Sequence, residues 1–213
     1  MTLSRLASSV SLFLVSGCVA GAALVAEAPS GLRSDFCSPR PPGGGAAMLS
    51  KDCRGMPFYP QEQRRRFVRT TAYTHSESDH LMYGRKNAVN GTLQFSEHLR
   101  SAAADWSVYP VGTKFRIKGQ PALYIVDDYG GALVGTGTID LYYPTRTQMR
   151  AWGCRVVEIE ILEWGSPQRS LELLAARRRS RHCLRMYTAL QARLRLRAQA
   201  SAAALPRAAT AAL

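Results

Sequence analysis

Beyond Gly165 the chain has almost no negative charge: Glu172 is the single acid against ten arginines, a local excess of nine positive charges. The formal net charge of +13 is therefore concentrated in one segment, and residues 64–163 are much closer to balance. Positive charge confined to one end describes an appendage more than a binding site. Cysteines spaced as C-x-x-C are absent, which removes the usual zinc framework. No loop carries the alternating acidic ligands that calcium requires, and no internal repeat is visible. What remains is a chain of 213 residues, enough for one domain of ordinary size with an extension on either side.

The first extension opens with Arg5 and the apolar run LASSVSLFLVSGCVAGAALVA, the layout of a secretory signal over residues 1–28. Export to the periplasm or cell envelope is the expectation, and it conflicts with a nucleic-acid partner. Val15, Ser16, Gly17 and Cys18 resemble a bacterial lipobox, in which Cys18 would be lipidated. The alternatives are a signal peptide cut near Ala22, Ala26 or Ala28, or an uncleaved anchor. With Cys18 set aside, Cys37, Cys53, Cys154 and Cys183 allow three pairings in an oxidising compartment. Cys37 and Cys53 are the disulfide candidate, because both lie in a Pro/Gly-rich linker spanning residues 29–65.

From residue 66 to 164 the texture is mainly β. RFVRTTAYT, TKFRIK, ALYIVDD, TIDLYY and RVVEIEIL are short β-like runs divided by turns, the pattern of a small barrel. One short helix fits between them: Thr145 caps RTQMRAW and Gly153 stops it. Gly165, Ser166 and Pro167 read as a boundary, followed by a Leu/Ala/Arg-rich tail over 165–213. Leu171, Leu174, Tyr187, Leu190 and Leu194 fall at roughly helical spacing, so the tail is either a cationic amphipathic helix or a solvated, partly disordered one. Its charge suits anionic lipid or a wall polymer.

The window IVDDYGGALVGTGTIDLYYPT gathers Asp127, Asp128 and Asp140 around a glycine-rich loop. Neighbouring side chains on a strand point to opposite faces, so Asp127 and Asp128 separate unless a bulge intervenes. Gly130 and Gly131 would let the backbone turn or approach a ligand. If Ile139 and Leu141 face a core, Asp140 faces out, where it could converge with Asp128. Two close carboxylates push one pKa up, which suits a general acid in glycosidic bond cleavage. Such aspartates can equally do no more than shape a turn. His75, His80 and His98 carry no metal or nucleophile spacing and read as surface residues. Thr71 and Tyr73 alternate and could present hydroxyls to a sugar, although Tyr73 reads first as cross-strand packing. Tyr129 and Tyr142 could stack on sugar faces but read first as half-buried packing, and Trp106, Trp152 and Trp164 as core anchors.

The window, with AAADWSVYPVGTKFRIKG before it, AWGCRVVEIEIL after it and TTAYT at 70–74, resembles the three-aspartate "3D" domain of bacterial cell-wall lytic enzymes, membrane-bound lytic transglycosylase A among them. The resemblance implies a six-stranded double-psi β-barrel acting, as a monomer, on peptidoglycan glycan strands. It places the family's aspartates at Asp105, Asp128 and Asp140, with Asp140 as the catalytic acid and Asp128 as its partner. Asp105, Gly130, Gly131 and Thr71 become substrate-binding candidates, Asp105 either touching substrate or holding a loop. The implied reaction is lytic transglycosylation: Asp140 protonates the oxygen between N-acetylmuramic acid and N-acetylglucosamine, then takes a proton from the C6 hydroxyl that closes a 1,6-anhydro ring. It requires no metal and no nucleotide. A second domain, present in the larger transglycosylase, is missing, and Val134 and Thr136 stand where the family has a basic stretch. The alternative is accordingly a barrel that binds the wall without cutting it.

Overall fold

The computed structural model describes residues 49–77 and 80–204. The signal segment, Cys18 and Cys37 lie outside them, and with Cys37 the proposed pairing to Cys53. Six strands, β1 (Arg65–Tyr73), β2 (Leu99–Ala104), β3 (Lys114–Ile117), β4 (Leu123–Asp128), β5 (Ile139–Tyr142) and β6 (Arg155–Glu163), close into a barrel in the order β1-β5-β2-β4-β3-β6. β1 runs parallel to β5, and β2 parallel to β4; the other neighbours are antiparallel. These two interleaved parallel pairs make the double-psi barrel that the resemblance implied.

Alternation fills the interior. Val68, Phe115, Ile117, Tyr124, Val126, Ile139, Leu141, Ile159 and Ile161 all turn into one buried cluster. Ala102 and Ala104 of β2 join it at full burial. A barrel of six strands has a narrow interior, and small residues on a central strand leave room for the rings opposite. β2 is the strand that the β-like runs did not include.

The short helix α1 (Arg146–Trp152) forms where expected. Thr145 accepts from the Gln148 N–H at 3.3 Å, and Gly153 ends the helix with φ of 64°. The aromatic anchors Trp106 and Trp152 are buried, and Trp164 is half-buried.

The C-terminal segment is two helices, α2 (Pro167–Ala175) and α3 (Arg181–Ala204), and it belongs to the same compact unit as the barrel. Leu174, Cys183 and Met186 enter the main core, and Leu190 is buried beside them. Polar contacts add to this seam: Ser170 Oγ accepts from the Val111 N–H at 2.9 Å, Arg177 donates to Ala88 O at 2.7 Å, and Arg193 donates to Ser107 O at 2.8 Å. The glycine, serine and proline at 165–167 are thus a packed corner, not a flexible hinge. Ser166 caps α2 by accepting from the Arg169 N–H at 3.1 Å, with Pro167 in the first turn. Ser166→Ala is expected to cost about 1 kcal/mol, measurable as a lower unfolding midpoint in urea.

The last part of the Pro/Gly-rich stretch is also docked. Asp52 is buried; its Oδ1 accepts from the N–H groups of Arg54 and Met56, and its Oδ2 accepts from the Gly137 N–H at 3.1 Å. Residues 49–64 therefore brace the glycine-rich loop from outside the barrel. No helix among the described residues is long and apolar enough to cross a membrane.

Candidate active site

Register places the acids. Asp140 on β5 pairs with Thr71 on β1 and with Ala103 on β2, and Ala103 pairs in turn with Asp128 on β4. Paired residues on adjacent strands share a face, so Thr71, Asp140, Ala103 and Asp128 form one row across four strands. Ile139 and Leu141 are fully buried in the core, which turns Asp140 outward as the alternation predicts. Ala103, between the two acids in the row, is buried in a cluster with Tyr73, Leu93, Leu133 and Tyr142. Two strand spacings separate their Cα positions by about 10 Å.

Asp127 does not turn away from Asp128. The pairing of β2 with β4 slips between Ala102 and Ala103, from Val126 to Asp128, leaving Asp127 as an extra residue in a bulge. The bulge returns both acids to the outer face. Asp127 Oδ2 there accepts from Ser101 Oγ at 2.7 Å and from Asn87 Nδ2 at 2.8 Å. Its Oδ1 is buried with no hydrogen-bond partner among the described residues. Burial pushes the Asp127 carboxyl up to about 6, opposed by the Ser101 and Asn87 bonds and assisted by the charge of Asp128. Burial raises the Asp127 carboxyl more than the like charge of Asp128 does.

Asp128 is heavily engaged. Its Oδ2 accepts from the Tyr73 hydroxyl at 3.0 Å and lies 3.4 Å from His80 Nε2, while its Oδ1 accepts from the Tyr129 N–H at 2.9 Å. His80 Nδ1 lies 2.9 Å from Gly84 O. Both partners of the imidazole are acceptors, so the doubly protonated ring satisfies them together, and the Asp128 hydrogen bond raises the His80 pKa. Burial, followed by the charges of Asp128 and Asp127, holds the Tyr73 hydroxyl well above its ordinary range. Asp140 Oδ1 accepts from Thr71 Oγ1 at 2.7 Å.

Asp105 is buried, and both its oxygens are spent on backbone: Oδ1 on the Ser107 N–H at 2.8 Å, Oδ2 on the Gly135 N–H at 2.7 Å. Of the two readings for this residue, the geometry matches the loop holder. Gly130 is extended, with φ of −134°, and Gly131 opens a single 3-10 turn through Leu133. Neither has a positive φ; in this loop that conformation falls at Gly135, at 81°. A Cβ on Gly131 would meet His182 of α3 at 3.4 Å, so Gly131 is the point where the helix lies on the loop.

Several residues around the acids had a weak signal in the sequence or none. Tyr73 and Tyr142 are paired across β1 and β5, two positions beyond Thr71 and Asp140 on the same face. His75 Nδ1 lies 2.8 Å from the Tyr142 hydroxyl. His75, His80 and Asn87 come from the irregular segment that crosses this face between β1 and β2, where no periodicity exists to read. Tyr73 was legible on this face because it alternates with Thr71. A separate cavity of about 320 Å³, bounded by Arg65, Arg116, Lys118, Glu158 and Glu160 among others, lies on the β3–β6 side. Arg65 pairs there with Glu160, and Lys118 with Glu158, and none of the acid row takes part.

The two titrating groups fix a sign. The Asp127 pKa is higher folded than unfolded, so its contribution to stability grows as pH falls through about 6 and is lost as pH rises through it; a rise from 3.8 to about 6 corresponds to roughly 3 kcal/mol. His80, also raised, contributes stability that is full below its ordinary 6.5 and lost as pH rises through the folded value. Thermal unfolding midpoints of the full chain are expected to fall as pH rises from about 4 to 8, and Asp127→Asn to flatten the part of that slope below about pH 6. A variant curve parallel to wild type would contradict the assignment.

Residues 100–163 match the family model described as the 3D domain. No curated protein matches the chain. The match begins inside β2 and ends at the last residue of β6, so it takes in Asp105, Asp128 and Asp140 but not β1, which supplies Thr71 and Tyr73.

Proposed function

From the premise that the barrel is a 3D domain, we propose that this protein is an exported, peptidoglycan-active enzyme of the lytic transglycosylase type. The observation that carries the reading is Asp140: an outward-facing carboxyl at the centre of a row, oriented by the Thr71 hydroxyl at 2.7 Å. One positioned acid meets the needs of the reaction. Protonated Asp140 gives its proton to the oxygen bridging N-acetylmuramic acid and N-acetylglucosamine as positive charge develops on the muramic ring. The resulting carboxylate takes the proton of the C6 hydroxyl, whose oxygen bonds to C1 and closes the anhydro ring.

Because that nucleophile belongs to the substrate, no second carboxylate has to activate water. The contacts of Asp128 agree with this. Tyr73, His80 and the Tyr129 N–H occupy it. Its role is to hold the Tyr73 and His80 side of the site.

Incubating the full chain with purified sacculi and analysing the soluble fraction by mass spectrometry tests the reading. Anhydro-muropeptides are expected. The alternative, a wall-binding barrel without activity, predicts sedimentation with sacculi and no new glycan ends. Export would depend on the N-terminal apolar run, and lipidation at Cys18 would hold the protein at a membrane; radiolabelled palmitate incorporation that is lost in Cys18→Ser checks the anchor.

A further inference from the structure

The outer face of β5 continues past Asp140 to Tyr142, about 7 Å further along the strand. Tyr142 is buried, and two side chains are set on its hydroxyl. His75, half-buried, reaches it through Nδ1 at 2.8 Å. Arg85, exposed, brings its guanidinium against it, lowering a phenol pKa that burial raises. The main chain of Arg85 is fixed as well: its carbonyl accepts from the Leu93 N–H at 2.8 Å, and Leu93 is fully buried in a cluster with Tyr73, Ala103 and Tyr142. A fixed main chain thus sets Arg85 at the edge of the acid row.

Neighbouring acids do not use it. Among the described residues the ion pairs are Arg65–Glu160, His80–Asp128, Lys114–Glu163 and Lys118–Glu158, none of which involves Arg85. Glu77, the acid of the same turn, accepts from the Thr74 N–H at 3.0 Å. Arg146, from the start of α1, donates to Ser76 O at 2.6 Å and so fixes the turn that carries His75. The face therefore has polarity: carboxyls at one end, and at the other a planar guanidinium beside an imidazole. A guanidinium fork matches a carboxylate better than any other common anion on a glycan.

We propose that Arg85 and His75, seated on Tyr142, form a carboxylate-binding subsite for an acid group carried by the glycan substrate, and that this contact sets the scissile oxygen over Asp140. It rests on the glycan reading above. The acid group could come from the lactyl ether of N-acetylmuramic acid or from the stem peptide attached to it. The lactyl group presents its carboxylate beside the ring only where no peptide is attached; where one is, that carboxyl is an amide and the carboxylates lie further out along the stem. In this reading the subsite separates muramic-acid glycans from chitin-like ones of the same backbone.

Calorimetric titration of the full-length Asp140→Asn variant, with and without Arg85→Gln, tests it. The probes are chitotetraose, which lacks carboxylates, a peptide-free GlcNAc–MurNAc tetrasaccharide, and the same tetrasaccharide bearing stem peptides. The carboxylate-bearing probes are expected to bind about tenfold or more tightly than chitotetraose. Arg85→Gln should erase that preference and leave chitotetraose unchanged, and Arg85→Lys should restore part of it. Preference for the peptide-free probe assigns the lactyl group, and preference for the peptide-bearing probe alone assigns the stem. Equal binding of all three, or a preference that survives Arg85→Gln, overturns the subsite. If sacculi are still cut in an Asp140-dependent way, only the subsite falls. If nothing binds and nothing is cut, the glycan reading falls with it.

Discussion

Asp140→Asn is expected to lower anhydro-muropeptide release from sacculi by about 10²–10⁴-fold, the range over which a positioned general acid and base contributes. The amide keeps the size of the carboxyl and can still accept the Thr71 bond, which is 2.7 Å long in the native site. What it cannot do is deliver a proton to the leaving oxygen or take one from the C6 hydroxyl, and both halves of the reaction need the same group. Unfolding midpoint and sedimentation with sacculi should therefore stay near wild type while cleavage is lost. Asp128→Asn should behave differently. It weakens the contacts to Tyr73 and His80, so stability falls and the fall depends on pH. Unchanged cleavage by Asp140→Asn would end the catalytic reading and leave the wall-binding one.

How much of this could be read from the chain depends on which force shaped each element. Runs such as RVVEIEIL show β-branched alternation, and their strands were legible for that reason. LRSAAA was not: alanine has little β-propensity, and the strand exists because a central position in a narrow barrel admits only small side chains. The outward direction of Asp140 followed from Ile139 and Leu141 on either side of it. The shared face of Asp127 and Asp128 did not follow, because a bulge is set by the partner strand and leaves no mark in the local pattern.

The same division holds for the residues around the acids. His80 reaches Asp128 from an irregular segment 48 positions away in sequence, and only the folded barrel brings them together. The C-terminal segment is helical, one of the two readings its sequence left open, but its docking on the barrel was not legible. Its arginines dominate the composition, while the apolar stripe through Cys183, Met186 and Leu190 is narrow, one residue per turn. That stripe is enough to seat α3 on the barrel and leave most of the positive charge outside. Glycine, serine and proline at 165–167 look like a linker by composition, and their compactness becomes evident only from what surrounds Gly165.

Gly165→Ala is expected to be among the most damaging single substitutions in the protein, with a loss of more than about 3 kcal/mol and a fall in unfolding midpoint of about 10 °C. A Cβ there would lie 2.2 Å from Val111 O, 2.3 Å from Pro110 O and 2.5 Å from Thr113 N. All three are main-chain atoms, so no rotamer change relieves the clash. Moving the 110–113 turn would disturb bonds that converge on it: Thr113 Oγ1 to Pro110 O at 2.6 Å, Ser166 N to Val111 O at 3.0 Å, and Val111 N to Ser170 Oγ at 2.9 Å. Moving α2 instead would draw Leu174 out of the core, where it is fully buried. The same turn is tied to β4, since the Gly112 N–H donates to Val126 O and the Val126 N–H to Thr113 O, one residue before the bulge at Asp127. Strain at the α2 corner therefore reaches the strand that carries Asp127 and Asp128. Urea unfolding of the full chain measures the effect, and a loss below about 1 kcal/mol would show that the corner yields and that α2 is docked more loosely than these contacts indicate.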